Sequence, residues 1–196
     1  DLTINLRAIT LTASDQSKTY GDALDLGGTS FSIADKGDAQ DSTLPNGEVV
    51  DTVTLVSASG VDASTDADVK AYANNISITP TATGAATLAG SNGFDQENYD
   101  ISYATGDLTI NRRAITLTAS GQSKAYGDAF TLDDTLFSIA DKGDAQDSTL
   151  PNGEVITNVA INSVWNLAAS TDADVGSYAD EIEILSPVSG LSLIHI

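Results

Sequence analysis

The sequence predicts an all-β protein made of two tandem copies of one small domain, each a β-sandwich or a β-grasp-like sheet. Three observations carry this expectation. The stretch from Arg7-Ala-Ile-Thr-Leu-Thr-Ala-Ser14 through Tyr20-Gly21-Asp22 returns at Arg113 to Asp128, an offset of 106 residues that also carries Ser32–Val49 onto Ser138–Val155 and Ser64–Val69 onto Ser170–Val175. Hydrophobic residues make up 41% of the chain but aromatics only 6%, and Thr, Ser, Ala, Asp and Gly fill much of the rest, which suits thin β-domains with small-residue cores. Apolar and polar residues alternate with a period of two in both copies. A repeat of 106 residues is domain-sized and well above the roughly 20 to 50 residues of a solenoid repeat, so each copy is expected to bury its own core.

In chain order, Asp1-Leu-Thr-Ile-Asn5 is identical to Asp107-Leu-Thr-Ile-Asn111. Residues 1–6 therefore read as the last strand of a preceding repeat, and 7–112 as a complete domain. Residues 113–190 read as a second domain without its closing strands. The final segment 191–196, Leu-Ser-Leu-Ile-His-Ile, resembles the translation of a sequencing adapter and is set apart from the fold. Ile9, Leu11 and Ala13, repeated as Ile115, Leu117 and Ala119, predict a half-buried strand. Tyr20-Gly21-Asp22 reads as a turn, and Phe31 with Ile33 as a short strand.

Asp35 to Gly47 is dense in turn formers and reads as a long loop ending in the Pro45-Asn46-Gly47 turn signal. Beyond it Val53 and Leu55 become Val159 and Ile161 while the intervening residues vary, as a one-sided strand requires. Ser64–Ile76 has helical spacing at Val69, Tyr72, Ala73 and Ile76, yet Tyr72, Ile76 and Ile78 share a strand parity and Gly176 weakens a helix in the second copy. A turn followed by a strand is the preferred reading. Tyr99, Ile101 and Tyr103, then Thr105-Gly106-Asp107, then Leu108 and Ile110 predict a closing hairpin. Only Asn111, Arg112, Arg113 and Ala114 separate Ile110 from Ile115, which predicts a short, stiff junction. The two arginines there are expected to be solvated or paired with Asp.

Twenty-eight acidic against eight basic residues give a net charge of −20. Such a surface repels nucleic acid and anionic lipid and favours solubility. Cysteine is absent, which removes disulfides, thiolate nucleophiles and Cys-ligated zinc. The single histidine is His195, so the usual nucleophile triads are not expected. Carboxylates in turn-like loops stay ionised and make poor acid catalysts, and we expect no enzymatic activity. No stretch approaches the about 20 apolar residues of a membrane-spanning helix, and no membrane insertion is expected.

Clustered Asp oxygens in a Gly-containing loop are hard ligands that suit calcium. Asp35, Asp38 and Asp41, copied as Asp141, Asp144 and Asp147, are therefore the calcium candidates, the alternative being a solvated loop, since their spacing lacks the EF-hand alternation. Asp66, Asp68, Asp172 and Asp174 read as turn and cap residues. Tyr20, Tyr72, Tyr99 and Tyr103 read as core or core-edge packing in preference to a sugar-stacking platform.

The order Ser17-Lys18-Thr19-Tyr20-Gly21-Asp22 (Ser123-Lys124-Ala125-Tyr126-Gly127-Asp128), then Asp174-Val175-Gly176-Ser177-Tyr178, then Asn98-Tyr99-Asp100-Ile101 and Leu108-Thr109-Ile110 resembles the MBG domains of the Tyr-Gly type. These recur in large secreted or surface-anchored bacterial proteins, including filamentous-haemagglutinin-like adhesins. The resemblance implies an extracellular or cell-surface array with stalk or adhesion roles. Its partners would be neighbouring repeats and host or environmental glycans or proteins, with Tyr20-Gly21-Asp22 and Tyr126-Gly127-Asp128 as structural motif residues and no catalytic residue.

Overall fold

Ile9, Leu11 and Ala13 are buried and Thr10 and Thr12 between them half-buried, so the alternation makes a strand, β1 (Arg7–Ala13). A computed structural model describes residues 1–36, 43–79, 88–142, 144 and 149–185. The chain divides into two compact units, Asp1–Arg112 and Arg113–Ile196, and its described secondary structure is strand with short 3-10 turns.

In the first unit β1 is followed by β2 (Gln16–Thr19), β3 (Phe31–Asp35), β4 (Val49–Thr52), β5 (Leu55–Ser57), β6 (Ala71–Ile78), β7 (Ala89–Ser91), β8 (Tyr99–Ala104) and β9 (Gly106–Asn111). One sheet has the order β3-β1-β8, a second β2-β9-β6-β5, and β4 and β7 form a separate ribbon. Ile9 and Leu11 from the first sheet and Ile76, Ile78 and Leu108 from the second meet in one hydrophobic core. Two sheets closing on a shared core make this a sandwich. Among the described residues no α-helix crosses a sheet as a β-grasp requires. Complete burial of Leu11, Ile76 and Leu108 contributes about 1.5–3 kcal/mol per side chain relative to exposure.

The expected closing hairpin is not what forms. β8 runs parallel to β1, with Arg7 opposite Tyr99, and β9 runs parallel to β2, with Gln16 opposite Leu108. The chain does not reverse at Thr105-Gly106-Asp107; it leaves one sheet and enters the other, alongside the same crossing made by Ala13-Ser14-Asp15. A β-carbon on Gly106 would lie 2.6 Å from the Ala13 carbonyl oxygen and 2.7 Å from that of Ser14. Glycine here allows two backbones to touch where they change sheets.

Ser64–Ile76 resolves as turns followed by β6. Between Tyr72 opposite Leu108 and Ile76 opposite Gly106, β6 carries four steps against two on β9, and Asn74 absorbs the bulge at φ 52°. The bulge preserves parity, so Tyr72, Ile76 and Ile78 all face inward. Asp35 belongs to β3 instead of opening the long loop. That loop ends as expected in Pro45-Asn46-Gly47, with Asn46 and Gly47 at φ 59° and 73° and the Glu48 N–H donating to the Pro45 carbonyl. Residues 1–6 form no strand and are exposed.

The second unit has β10 (Ile115–Ala119), β11 (Phe137–Asp141), β12 (Ile161–Ser163) and β13 (Ile182–Ile184). β10 pairs β11 in the register of β1 and β3, and β12 pairs β13 in that of β5 and β6. Val159 is buried like its counterpart Val53. Among the described residues nothing stands where β8 and β9 stand in the first unit, and the effect is local: Ile9 is 1% exposed and its copy Ile115 38%.

Candidate functional site

The repeated motif residues build two clamps in each unit. Arg7 opens β1, and Asp35 closes β3 opposite Ile9. Arg7 Nε donates to Asp35 Oδ1 at 2.8 Å and Nη2 donates to Oδ2. The Asp35 side chain is fully buried. Arg113 repeats the fork on Asp141, with Nε to Oδ1 at 2.7 Å. Paired charge-assisted bonds fix the two strands with a geometry lysine cannot reproduce. Hydrogen bonding from Arg7 holds the Asp35 carboxyl below the usual carboxylate range although burial works to raise it.

The forks place Asp35 and Asp141 at strand ends and not in the long loop. A calcium ligand presents its oxygens to a loop, whereas both oxygens of each of these carboxylates are engaged by an arginine inside a strand pair. Asp38, Asp41 and Asp147 lie outside the described residues. Asp144 is exposed, and its N–H donates to the Asp141 carbonyl at 2.8 Å. Among the described residues no three carboxylate or imidazole groups are placed to share a metal ion.

The second clamp lies in Ser17-Lys18-Thr19-Tyr20-Gly21-Asp22. Gly21 sits at φ 87° and the Asp22 N–H donates to the Thr19 carbonyl at 3.0 Å, a turn whose third residue requires the left-handed region. Ala125 to Asp128 repeats it, with Gly127 at φ 89° and a bond of 3.2 Å. On β2, just before this turn, Lys18 points inward. Its ammonium donates to the carbonyls of Val61, at 2.5 Å, and Asp62, at 2.9 Å, and to that of Ser64. Three donors meet three acceptors. Burial pulls the Lys18 pKa down, opposed by Asp62, Asp22 and Asp66. Lys124 grips Leu167, Ala168 and Ser170 in the same way.

A third buried polar residue differs between the copies. Asn75 accepts from Ser57 Oγ at 2.6 Å. Glu181 takes its place in the second unit, accepting from Ser163 Oγ and from the N–H groups of Trp165, at 3.0 Å, and Leu167, at 3.1 Å. Burial works to raise the Glu181 pKa, but these donors outweigh it and the carboxyl is lowered.

The tyrosines differ in burial. Tyr99 is buried, stacks on Phe94 at 5.4 Å between ring centres and donates its hydroxyl to Glu48 Oε2 at 2.5 Å. Burial, then the hydrogen bond and charge of Glu48, push that hydroxyl up to about 12. The Tyr72 hydroxyl donates to the Asp68 carbonyl at 3.1 Å with Lys70 over its ring, and Tyr178 repeats the bond on Asp174 at 2.7 Å. Tyr20 is half-buried, whereas Tyr103, expected at the core or its edge, is an exposed residue of β8. Asp66 and Asp172 accept from Ser64 and Ser170 two residues earlier, as turn residues do.

No family model, curated protein or solved structure matches this chain.

The second unit contains a groove of about 870 Å³. One wall is Ser120–Tyr126, the other Ala173–Asp180, and Leu117, Phe130, Ile182 and Ile184 line its floor. Their counterparts in the first unit, Leu11, Leu24, Ile76 and Ile78, belong to or pack against the hydrophobic core.

The arrangement as a whole holds strands and loops. The buried Asp35, Lys18, Asp141 and Glu181 are each matched by a fixed partner within their own unit. The sequence reading missed Arg7, Lys18 and Asn75 because each partner lies far along the chain. The available signal was that Arg7 and Lys18 recur at Arg113 and Lys124 amid scarce basic residues.

Proposed function

We propose that this chain is a run of repeat modules from an exported bacterial surface protein of the MBG adhesin-like kind, serving as a non-enzymatic spacer that holds other domains away from the cell. The observation that carries the reading is the junction between the repeats. The Tyr20 N–H holds the Asn111 carbonyl at 2.9 Å within the first unit. Arg113 forks onto Asp141, and the Ala114 carbonyl accepts from the Lys142 N–H at 2.9 Å, within the second. Anchored residues thus flank Arg112 closely on both sides, and a connector this short leaves little torsional freedom. The same clamps recur in each unit, so a spacer of this kind would lengthen with copy number.

X-ray scattering from proteins of two, three and four complete repeats tests the proposal. The maximum dimension should grow by a constant increment per repeat. A particle that folds back on itself would overturn the spacer, and a reproducible glycan or matrix-protein hit for a single repeat would turn the reading to adhesion.

A further inference from the structure

Two asparagine-glycine pairs of the first unit lie at one end of the ribbon formed by β4 and β7, where Val49 pairs with Ser91. Asn46-Gly47 belongs to the turn that leads into β4. Asn92-Gly93 is the turn that leaves β7, closed by the Phe94 N–H on the Ser91 carbonyl at 3.2 Å. Asn46 and Gly47 are exposed. Glycine after asparagine favours attack of the backbone nitrogen on the side-chain amide, because no β-carbon shields that nitrogen. The turn opposes this reaction. With Asn46 at φ 59° and ψ 13°, the Gly47 nitrogen is rotated away from the Asn46 side chain about the Cα–C bond, and a ring between them cannot close until ψ changes. Two bonds keep ψ where it is: the Glu48 N–H on the Pro45 carbonyl at 3.1 Å, and the Asn92 side-chain amide on the Gly47 carbonyl at 3.0 Å.

We propose that Asn46 is a site of spontaneous deamidation whose rate is set by the opening of its turn, with Asn92 as the latch. In the open turn the Gly47 nitrogen bonds to Asn46 Cγ, the Cγ–Nδ2 bond breaks, and ammonia leaves with the proton given up by the Gly47 amide. Water then opens the succinimide at either carbonyl. The product is an aspartate or, where the main chain is rerouted through the side chain, an isoaspartate. Either one adds a negative charge to a chain that carries −20. The isoaspartate lengthens the main chain by a carbon atom, which a tight turn with both central residues at positive φ does not absorb. Glu48, the next residue after Gly47, accepts the Tyr99 hydroxyl at 2.5 Å, so the modification loosens the support of Tyr99. The same turn recurs in the second unit, with Asn152 at φ 59° and ψ 18° before Gly153.

Peptide mapping of the full 196-residue chain, incubated in mildly alkaline buffer and sampled over time, tests this. Trypsin releases the fragment 37–70, in which Asn46 is the only asparagine. Tandem mass spectrometry places the mass gain of an amide-to-carboxyl exchange on that residue, and chromatography separates the aspartate and isoaspartate products. Both should accumulate in the folded chain, more slowly than in the same chain unfolded in urea. Asn92→Asp keeps a residue that tolerates the left-handed turn and removes the amide donor; Asn92 is exposed, so the variant keeps its fold. It should raise the folded-chain rate about two- to tenfold, the effect of one hydrogen bond on the opening equilibrium, and leave the rate in urea unchanged. No conversion of Asn46 in the folded chain while the unfolded chain converts overturns the site. Equal rates in the folded and unfolded chains, or a folded rate unmoved by Asn92→Asp, overturn the control by the turn and its latch.

Discussion

Lys18 carries a positive charge into a protein that has few, and uses it to gather three carbonyls of one loop. Replacing it with Met keeps the stem and removes the donors, leaving the carbonyls of Val61, Asp62 and Ser64 to water. The loss of stability on thermal or urea unfolding should be about 1–3 kcal/mol. Lys18→Arg should not restore it, since a planar fork cannot reach three converging acceptors. Tyr99 gives a test by pH. Its hydroxyl ionises near 10 when unfolded and at about 12 when folded, so the unfolded chain releases the proton first as pH rises. The stabilisation is whole below pH 10 and is lost as pH climbs toward 12. Denaturant midpoints measured across that window should fall, and fall less in Tyr99→Phe. Asp35 works in the opposite direction: with its pKa held down by Arg7, its contribution persists at neutral pH and disappears only as acid protonates it.

At the level of elements, the crossing of β8 into β9 rests on Gly106. Gly106→Ala forces a methyl against two carbonyl oxygens of the neighbouring crossing and should cost about 1–3 kcal/mol, read as a lowered unfolding midpoint. Among the described residues β10 pairs with β11 alone, whereas β1 lies between β3 and β8. Backbone amides of β10 should exchange with solvent far faster than those of β1, by native-state hydrogen exchange, although the two strands share the sequence Ile-Thr-Leu-Thr-Ala. Equal protection would show that β10 has found another partner. Much of this was legible in the chain. Alternation identified β1 and β3, parity identified Tyr72 with Ile76, and Gly176 argued correctly against a helix. The one-sided strand expected through Val53 and Leu55 does not form: β4 ends at Thr52, β5 begins at Leu55, and the two belong to different sheets. The hairpin was not legible, because Thr105-Gly106-Asp107 flanked by alternating residues looks the same whether the chain reverses or changes sheets. Only the distant strands β1 and β2 decide it. The clamps failed for the same reason: Arg7 lies 28 residues from Asp35, and Lys18 lies 43 to 46 from its acceptors.

For the whole molecule, the repeat means that one description serves twice wherever the supporting strands recur and fails wherever they do not. Strand formation at Gln16–Thr19 depends on β9, since the nearly identical Gln122–Ala125, without such a neighbour, forms none. A shared sequence thus acquires its structure from what lies beside it. The parallel pairing of β1 with β8 and of β2 with β9 also governs how a unit answers to tension. The chain enters the paired region at Arg7 and leaves it at Asn111, at opposite ends of strands that point the same way. A pull between those points loads both ladders lengthwise, so their bonds shear together instead of peeling apart one by one. Stretched by atomic force microscopy, complete repeats should rupture at a higher force when pulled along this axis than when pulled across it. The fold would resist extension most along the line in which its own backbone would carry drag from a moving fluid.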